Sequence, residues 1–505
     1  MAPAISAALN DLAAFFAARG VAAWLVGGAA RDLARGRTPT DLDLAVAGDG
    51  LGLAREFANR AGGAFVRLDA PRGTGRVVLP GPPALTIDIA ALRAPTIEGD
   101  LQVRDFTVNA LAIPLATHLP GGPDGAPPGP VVDPTGGLAD LAAGVLRPCG
   151  PLALADDPLR VLRAGRLCAT LGLQPVAELE SLMASATPGL DTVAPERVRD
   201  ELLKLLDAPA SAPWLRYLDA CGALSRVFPE LEPARACAQP RVHFLPVLAH
   251  MLETVAALDW LVGGLLPPAD GAAAPPALSL PEAVKAHPTL ARALPYSDRL
   301  ATLLAEPRGG GHRRVALLKL AALLHDNAKP QTKVAHPDGS VSFYGHQELG
   351  AEVAGRIGRR LRLARRDVAY VTLVVREHMR PGQLRAAEVL TPRAVARFFR
   401  DLGDAGPDVL IHELADHLAT RGPQATVAGW SDHLTWVRTL LDAYYAPAKA
   451  RSVPLLTGHD LMAELGLAPG PRLGQILREI AEAQAAGEIS SRDEALALAR
   501  RVKGR

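Results

Sequence analysis

Near the start of the chain Ile5, Leu9, Leu12 and Phe16 recur at helical spacing, which predicts an amphipathic helix packed on a domain. The pattern then alternates up to about residue 147. Val21–Val26, Leu42–Val46 and Leu85–Ile89 read as strands, and Arg31–Arg35 reads as the start of a helix. From about Leu152 to Leu231 the pattern is helical, with few strand signals. Helical segments continue to about His417 and carry most of the histidines, and a last helical segment runs from Leu456 to Arg500. Pro120–Pro130 reads as a Gly/Pro-rich loop, and Pro267–Pro276 and Arg308–Gly311 as low-complexity stretches expected to be mobile. No segment predicts a membrane span, because Asn10, Asp11, Arg19 and Asp259 interrupt the most apolar ones. The N-terminus lacks the basic region and clean apolar run of a signal peptide.

Composition adds bounds to this picture. A chain of 505 residues is long enough for three or four domains. With 54 Lys+Arg against 53 Asp+Glu the net charge is +1, which excludes a chain basic throughout but leaves room for a local basic groove. At 49% hydrophobic and 21% charged, the chain can bury sizeable cores. The 4 cysteines form no CxxC pair and are too few for a disulfide scaffold, so a reducing, cytoplasmic setting is expected. Of the 54 basic residues 47 are Arg, a skew that a GC-rich genome explains.

Candidate chemistry begins at Gly27-Gly28-Ala29-Ala30-Arg31-Asp32, a glycine turn between a strand and a helix start. Such a turn lets backbone N–H groups approach a phosphate. In Thr40-Asp41-Leu42-Asp43-Leu44, period-2 geometry puts Asp41 and Asp43 on one strand face. Adjacent carboxylates repel unless a cation lies between them, which suits Mg²⁺. Taken alone, the pair also fits two solvent-facing strand residues. Asp88, in Leu85-Thr86-Ile87-Asp88-Ile89, supplies a third carboxylate on an expected neighbouring strand.

Further segments follow in order: Arg104-Asp105-Phe106-Thr107-Val108-Asn109-Ala110-Leu111-Ala112, Asp133-Pro134-Thr135-Gly136-Gly137, Asp156-Asp157-Pro158-Leu159-Arg160 with Arg163, and Glu196-Arg197 with Glu201 and Lys204. Together with the head motif they closely resemble the class II tRNA nucleotidyltransferase and bacterial poly(A) polymerase family over roughly residues 21–210. The resemblance implies a polymerase-β-like α/β nucleotidyltransferase head followed by a mostly α-helical neck, body, HD domain and tail. It implies that Asp41 and Asp43, with Asp88 as a third carboxylate, are catalytic and hold Mg²⁺ for an in-line transfer. Gly27, Gly28 and Arg31 would then cradle phosphates, and Arg104, Asp105 and Asn109 would position the ribose. Asp157 and Arg160, with Arg163 beside them, would read the incoming base edge. Two departures stand out. Val103 replaces the family's first Arg of Arg-Arg-Asp, and only Ala94–Gly99 separate Arg93 from Asp100. Members that add only the two cytidines characteristically lack the longer loop found there, so the shortening implies CC addition. Full CCA addition through a compacted loop is the alternative; poly(A) polymerase, or an HD phosphohydrolase with a degenerate RNA-binding head, fits less well.

In the histidine-bearing region, Leu324-His325-Asp326-Asn327 is joined by His250, His346, His378 and Asp416. This set resembles the HD phosphohydrolase domain, in which His, His-Asp and a distal Asp ligate a divalent metal and further histidines complete a second site. Imidazole with carboxylate suits Ni²⁺, Mn²⁺, Fe²⁺ or Zn²⁺. Asn327 stands where an apolar residue is usual, and His243, His412 and His417 are taken as bystanders. Thr457-Gly458-His459-Asp460 and Gly466–Gly474 resemble the family's C-terminal tRNA-binding region. The expected organisation is a head at 1–147, a neck and body at 148–240, an HD domain at 241–425 and a tail at 426–505. The implied partners are tRNA with CTP, and ATP if addition continues past CC; no membrane partner is expected.

Overall fold

The computed structural model describes residues 3–69, 73–81, 84–118, 130–240, 242–266, 278–286, 296–387, 389–445 and 454–504. The loop expected around Pro120–Pro130, apart from Pro130, and the stretch Pro267–Pro276 lie outside them. By contacts the chain divides into two compact units: Met1–Val193 with Leu218–Arg226, and Ala194–Tyr217 with Val227–Arg505.

The first unit is built on a six-stranded sheet in the order β3-β4-β5-β2-β1-β6. The strands are β1 (Ala23–Val26), β2 (Leu42–Val46), β3 (Ala64–Asp69), β4 (Thr74–Leu79), β5 (Leu85–Ala91) and β6 (Ala112–Pro114). The pair β2 and β5 runs parallel, and every other neighbouring pair is antiparallel. The period-2 rule sorts β2: Leu42, Leu44 and Val46 enter the main core, whereas Ala45, on the face of Asp43, joins a separate apolar cluster with Val26, Ile97 and Leu101. Helix α1 (Pro3–Ala17) forms as its spacing predicts, and its buried stripe is broadened by Ala8, Ala13 and Phe15. Helix α2 (Gly27–Ala34) begins four residues before the expected Arg31, because Gly27 at φ +66° turns the chain directly out of β1. Strands β3 and β4 carry no clear alternation in the sequence. Gly75 interrupts β4 where helix α3 (Gly50–Ala61) lies so close that a Cβ would stand 2.8 Å from that of Ala54. The short segment after β5 folds into helix α4 (Ile97–Gln102), whose N-cap Thr96 accepts from Gly99 N.

The second unit is almost wholly helical. Its centre is the helix Val247–Gly263, buried nearly all round, as an apolar helix without a polar face must be. Arg314–Leu324 and Gly406–Arg421 pack against it, and Arg365–Glu377 packs in turn on Arg314–Leu324 and on His346–Arg360. Two buried ion pairs lie in this core: Arg314 with Asp408 at 2.9 Å, and Lys319 with Asp259 at 2.6 Å. The expectation that Arg308–Gly311 is mobile is not met. Gly311 N donates to Arg308 O, Arg308 N to His312 O, and Gly310 N to the buried carboxylate of Asp367. The C-terminal segment is three helices, Gly458–Leu465, Pro471–Ala485 and Arg492–Lys503; reciprocal capping boxes at Thr457/Asp460 and Ser491/Glu494 start the first and third. No helix among the described residues is long and apolar enough to cross a membrane.

Candidate functional site

In the first unit the sheet register brings the carboxylates together. Asp43 on β2 lies directly opposite Asp88 on β5, and Arg76 on β4 lies opposite Asp88 in turn. Asp41 directly precedes β2. Burial, followed by the charges of Asp41 and Asp88, pushes the Asp43 carboxyl up to about 7. Oxygen donors gathered in this way suit a hard divalent cation. Asp88 differs from its neighbours, because Arg76 donates to both of its oxygens at 2.7 and 2.8 Å. Arg76 was not anticipated as a site residue.

Gly27 sits so close to this group that a Cβ there would be 3.4 Å from Asp43 Oδ2 and 3.8 Å from Arg104 Nη1. Helix α4 delivers Arg104: the buried Asp100 accepts from Arg104 Nε and from Arg93 N, both at 2.9 Å, clasping the two ends of the shortened segment. Arg31, in α2 with Gly28, donates to Asp32 at 2.9 Å and to Asn109 Oδ1 at 2.7 Å. Asp105 is buried and accepts from Phe106 N and from Arg163 Nη1 at 3.0 Å. Burial works against ionisation, yet Arg163 and the Phe106 N–H hold its carboxyl below the usual range. Arg163, expected on the nucleotide, also pairs with this turn, on a carboxylate 58 residues away in the chain. Asp157 accepts from Leu159 N, and Arg160 donates to Ala153 O at 2.7 Å and Arg104 O at 3.4 Å. Both side chains are buried at 7% exposure, and Arg160 Nε lacks a partner among the described residues.

In the second unit His250, His325, Asp326, His346, His378 and Asp416 converge from separate helices and turns. His250 Nε2 and His325 Nε2 lie 3.5 and 3.2 Å from Asp326 Oδ2, and His346 Nε2 and His378 Nε2 lie 3.3 and 3.6 Å from Asp326 Oδ1. Asp416 Oδ1 is 2.9 Å from His250 Nε2. Asp326 Oδ2 is paired with Lys329 Nζ at 2.5 Å, whereas Asp416 Oδ1 and the Nε2 atoms of His250 and His325 are buried without a hydrogen bond. The Nδ1 atoms of His325, His346 and His378 face the carbonyls of Ala322, Phe343 and Val375 at 2.9, 2.7 and 2.7 Å. A carbonyl only accepts, so each Nδ1 carries a proton, and Nε2 is the ring atom that each of these histidines turns toward Asp326. Imidazole Nε2 atoms gathered around a buried carboxylate, as in His250, His325 and Asp326 and again in Asp326, His346 and His378, form a donor set that fits a divalent transition metal. Despite burial, His325 and Lys329 hold Asp326 well below the usual carboxylate range.

Two of the expected bystanders belong to this region after all. His412 is fully buried, has both ring nitrogens unpartnered and lies 4.9 Å from His325 between ring centres. His243 lies 5.1 Å from His250. His417 instead stacks on His433 at 3.8 Å. Asn327 replaces an apolar residue because its amide ties the turn to Leu324 O and Gly350 O. A cavity of about 520 Å³ opens on the cluster, lined by Asp326, His346, His378, Asp416, Lys329 and Arg421 among others.

Comparison with known proteins agrees with this geometry. The poly(A) polymerase head domain family matches residues 23–147, the "Probable RNA and SrmB-binding site of polymerase A" residues 172–235, the HD domain residues 296–420, and tRNA nucleotidyltransferase domain 2 residues 447–499. The fold and head therefore define a nucleotidyltransferase, and the class as a whole works with divalent metal ions. The chain is 36% identical to the A-adding tRNA nucleotidyltransferase of Deinococcus radiodurans, over 94% of each chain. It is 35% identical to the CC-adding enzyme of Thermus thermophilus, over 94% of this chain and 92% of that one. The fold is shared with the Thermotoga maritima CCA-adding enzyme complexed with tRNA, with a TM-score of 0.60 and 21% identity over 100% of this chain and 96% of that one. This chain belongs to the tRNA nucleotidyltransferase family, and it is an enzyme of that class.

Proposed function

We propose that the protein adds CMP to the 3′ end of tRNA and stops after CC, releasing pyrophosphate at each step. The observation that carries the stopping point is the six-residue segment Ala94–Gly99: capped by Thr96 and clasped through Asp100, it leaves no length for a flexible loop. Asp41 and Asp43 are the residues that hold Mg²⁺. The chemistry Mg²⁺ supplies at such a pair is activation of the RNA 3′-hydroxyl and neutralisation of the triphosphate. Arg76 keeps Asp88 satisfied, so Asp88 acts beside the pair as the seat of a guanidinium. Gly27 and Gly28 leave space at the start of α2 for phosphate oxygens, and Arg31, steadied by Asn109, donates to them. Asp157 and Arg160 present a carboxylate and a guanidinium to the base edge, with Arg163 holding the Asp105 turn beneath. We assign 1–147 to the head, 148–240 to the neck and body, 241–425 to the HD domain and 426–505 to the tRNA-binding tail. A cytoplasmic location accords with tRNA as substrate.

The test offers tRNAs ending at the discriminator base, at C and at CC, with CTP and ATP separately and together. The first two should gain C residues from CTP, and the tRNA ending in CC should gain nothing from ATP. ATP incorporation at CC overturns CC-only addition in favour of A or CCA addition, the reading that the A-adding relative supports. In the HD domain, the converging donors favour a transition-metal centre of Ni²⁺, Mn²⁺, Fe²⁺ or Zn²⁺ with phosphohydrolase activity. Hydrolysis of 2′,3′-cyclic phosphates that disappears in His325→Ala supports that activity, and its absence from the metal-loaded wild type rejects it.

A further inference from the structure

The chain has a net charge of +1, yet residues 356–366 hold 6 arginines and no acidic residue. They lie at the corner between the helices His346–Arg360 and Arg365–Glu377. All six, Arg356, Arg359, Arg360, Arg362, Arg365 and Arg366, are exposed. Arg360 is engaged by Glu230 at 2.8 Å, and Arg362 reaches Glu196 only at 3.9 Å. Among the described residues, Arg356, Arg359, Arg365 and Arg366 have no carboxylate within ion-pair distance. Like charges this dense repel one another at low salt, so the corner is poised for an anionic partner.

The backbone supplies an independent observation. Arg362 is the only non-glycine residue with positive φ among the described residues, at +56°. It follows a helix C-terminus, where glycine is the usual left-handed residue, and Leu363 N closes the turn onto Gly358 O. Buried Leu361 and Leu363 flank it, so the turn drives the Arg362 side chain outward to 69% exposure. An arginine kept where glycine costs less points to a use for its side chain.

The metal cluster does not account for this corner. His346 starts one helix and His378 directly follows the other, so the corner lies at the opposite ends, about 20 Å from the histidines at ~1.5 Å per residue. What the corner does touch is the helix Pro195–Leu206, whose Arg199 Nη1 donates to Arg362 O at 2.6 Å. That helix lies inside the segment matched by the polymerase A RNA-binding family, and it adds the exposed Arg197 and Lys204.

We infer that the arginine corner at 356–366, with the adjoining face of Pro195–Leu206, is a docking surface for the phosphate backbone of tRNA. The inference rests on tRNA as the substrate. It assigns the HD region a binding role that needs no metal and no hydrolysis.

The experiment uses the full chain with Arg356, Arg359, Arg365 and Arg366 replaced together by Gln, and reads tRNA affinity without nucleotide across a salt series. Affinity should fall about tenfold or more at low salt, and the log–log salt slope should shrink by about three, the release expected for four phosphate contacts. The KM for CTP and the kcat at saturating tRNA should be unchanged, and the fourfold Lys variant should restore the slope. Unchanged tRNA affinity and slope overturn the inference, as does loss of binding to phosphatidylserine vesicles with tRNA binding intact. Arg362→Gly separates binding from folding: it should raise the melting temperature while weakening tRNA binding, and undiminished binding contradicts the proposal. A wild type that binds tRNA through these arginines but incorporates no CMP refutes the proposed function and leaves this surface standing.

Discussion

The carboxylate group of the head and the histidine cluster of the HD region, the two candidate cation sites, are assembled by opposite means. The head group is assembled by strand register, with Asp43 opposite Asp88 and Arg76 beyond, and Asp41 at its edge is exposed. The histidine cluster lies deep, at the end of a cavity: His250, His325, Asp326, His346 and His378 are at most 5% exposed, and each histidine with an assigned Nδ1 partner is locked by a backbone carbonyl. An open oxygen site can exchange a hydrated ion together with each nucleotide, as transfer requires. Buried imidazoles fixed by backbone carbonyls are the arrangement that suits a tightly held metal. On the proposed function, the difference implies two centres that work independently, one as the reaction site and one as a resident metal site.

The largest effect should come from Asp43→Ala or Asp41→Ala. Either should lower CMP transfer on the order of a thousandfold or more, with the transition-metal content unchanged. Transfer that survives in either variant contradicts the assignment of the head pair. Next, His325→Ala should lose the bound transition metal and lower the melting temperature. Transfer at a temperature where the variant is folded should stay within about twofold of wild type. A loss of transfer as deep as that of Asp43→Ala would break the independence of the two centres.

Smaller effects sharpen the contrast. Arg76→Ala leaves Asp88 unpaired beside Asp43 and should cost about tenfold in transfer. Asp88→Asn should cost no more, and the double variant no more than Arg76→Ala alone, as measured by a double-mutant cycle. If Asp88→Asn instead abolishes transfer and shifts the Mg²⁺ requirement, Asp88 is a metal ligand in its own right. His412→Ala should weaken transition-metal affinity about tenfold without touching the Mg²⁺ dependence of transfer, read by metal titration. Least of all, Thr457→Ala should destabilise the tail by about 1 kcal/mol through its lost cap, seen as faster amide exchange across Gly458–Leu465.

The head was readable because its signals are local. Asp41-Leu42-Asp43 carries its own strand geometry, and Gly27-Gly28 its own turn. Arg76 was not readable: its role is a register relation across β4 and β5, and Gly75 erases the alternation that would reveal β4. The pairing of Arg163 with Asp105 was not readable either, because that partner is distant in the chain. The six HD residues followed from resemblance, since no spacing rule joins His250 to Asp416. His412 did have a readable signal, because it precedes Asp416 by four residues and so shares its helix face. The corner at 356–366 was visible as a run of arginines, but its exposure and the left-handed Arg362 appear only in the folded chain.

The most direct test of two independent centres is a single reconstitution. The full-length protein is stripped of transition metal, its metal content is measured, and CMP incorporation into tRNA is then followed with Mg²⁺ as the only added cation. Full incorporation while the histidine centre remains empty is the predicted result. Incorporation that returns only when Ni²⁺, Mn²⁺, Fe²⁺ or Zn²⁺ is restored would contradict it.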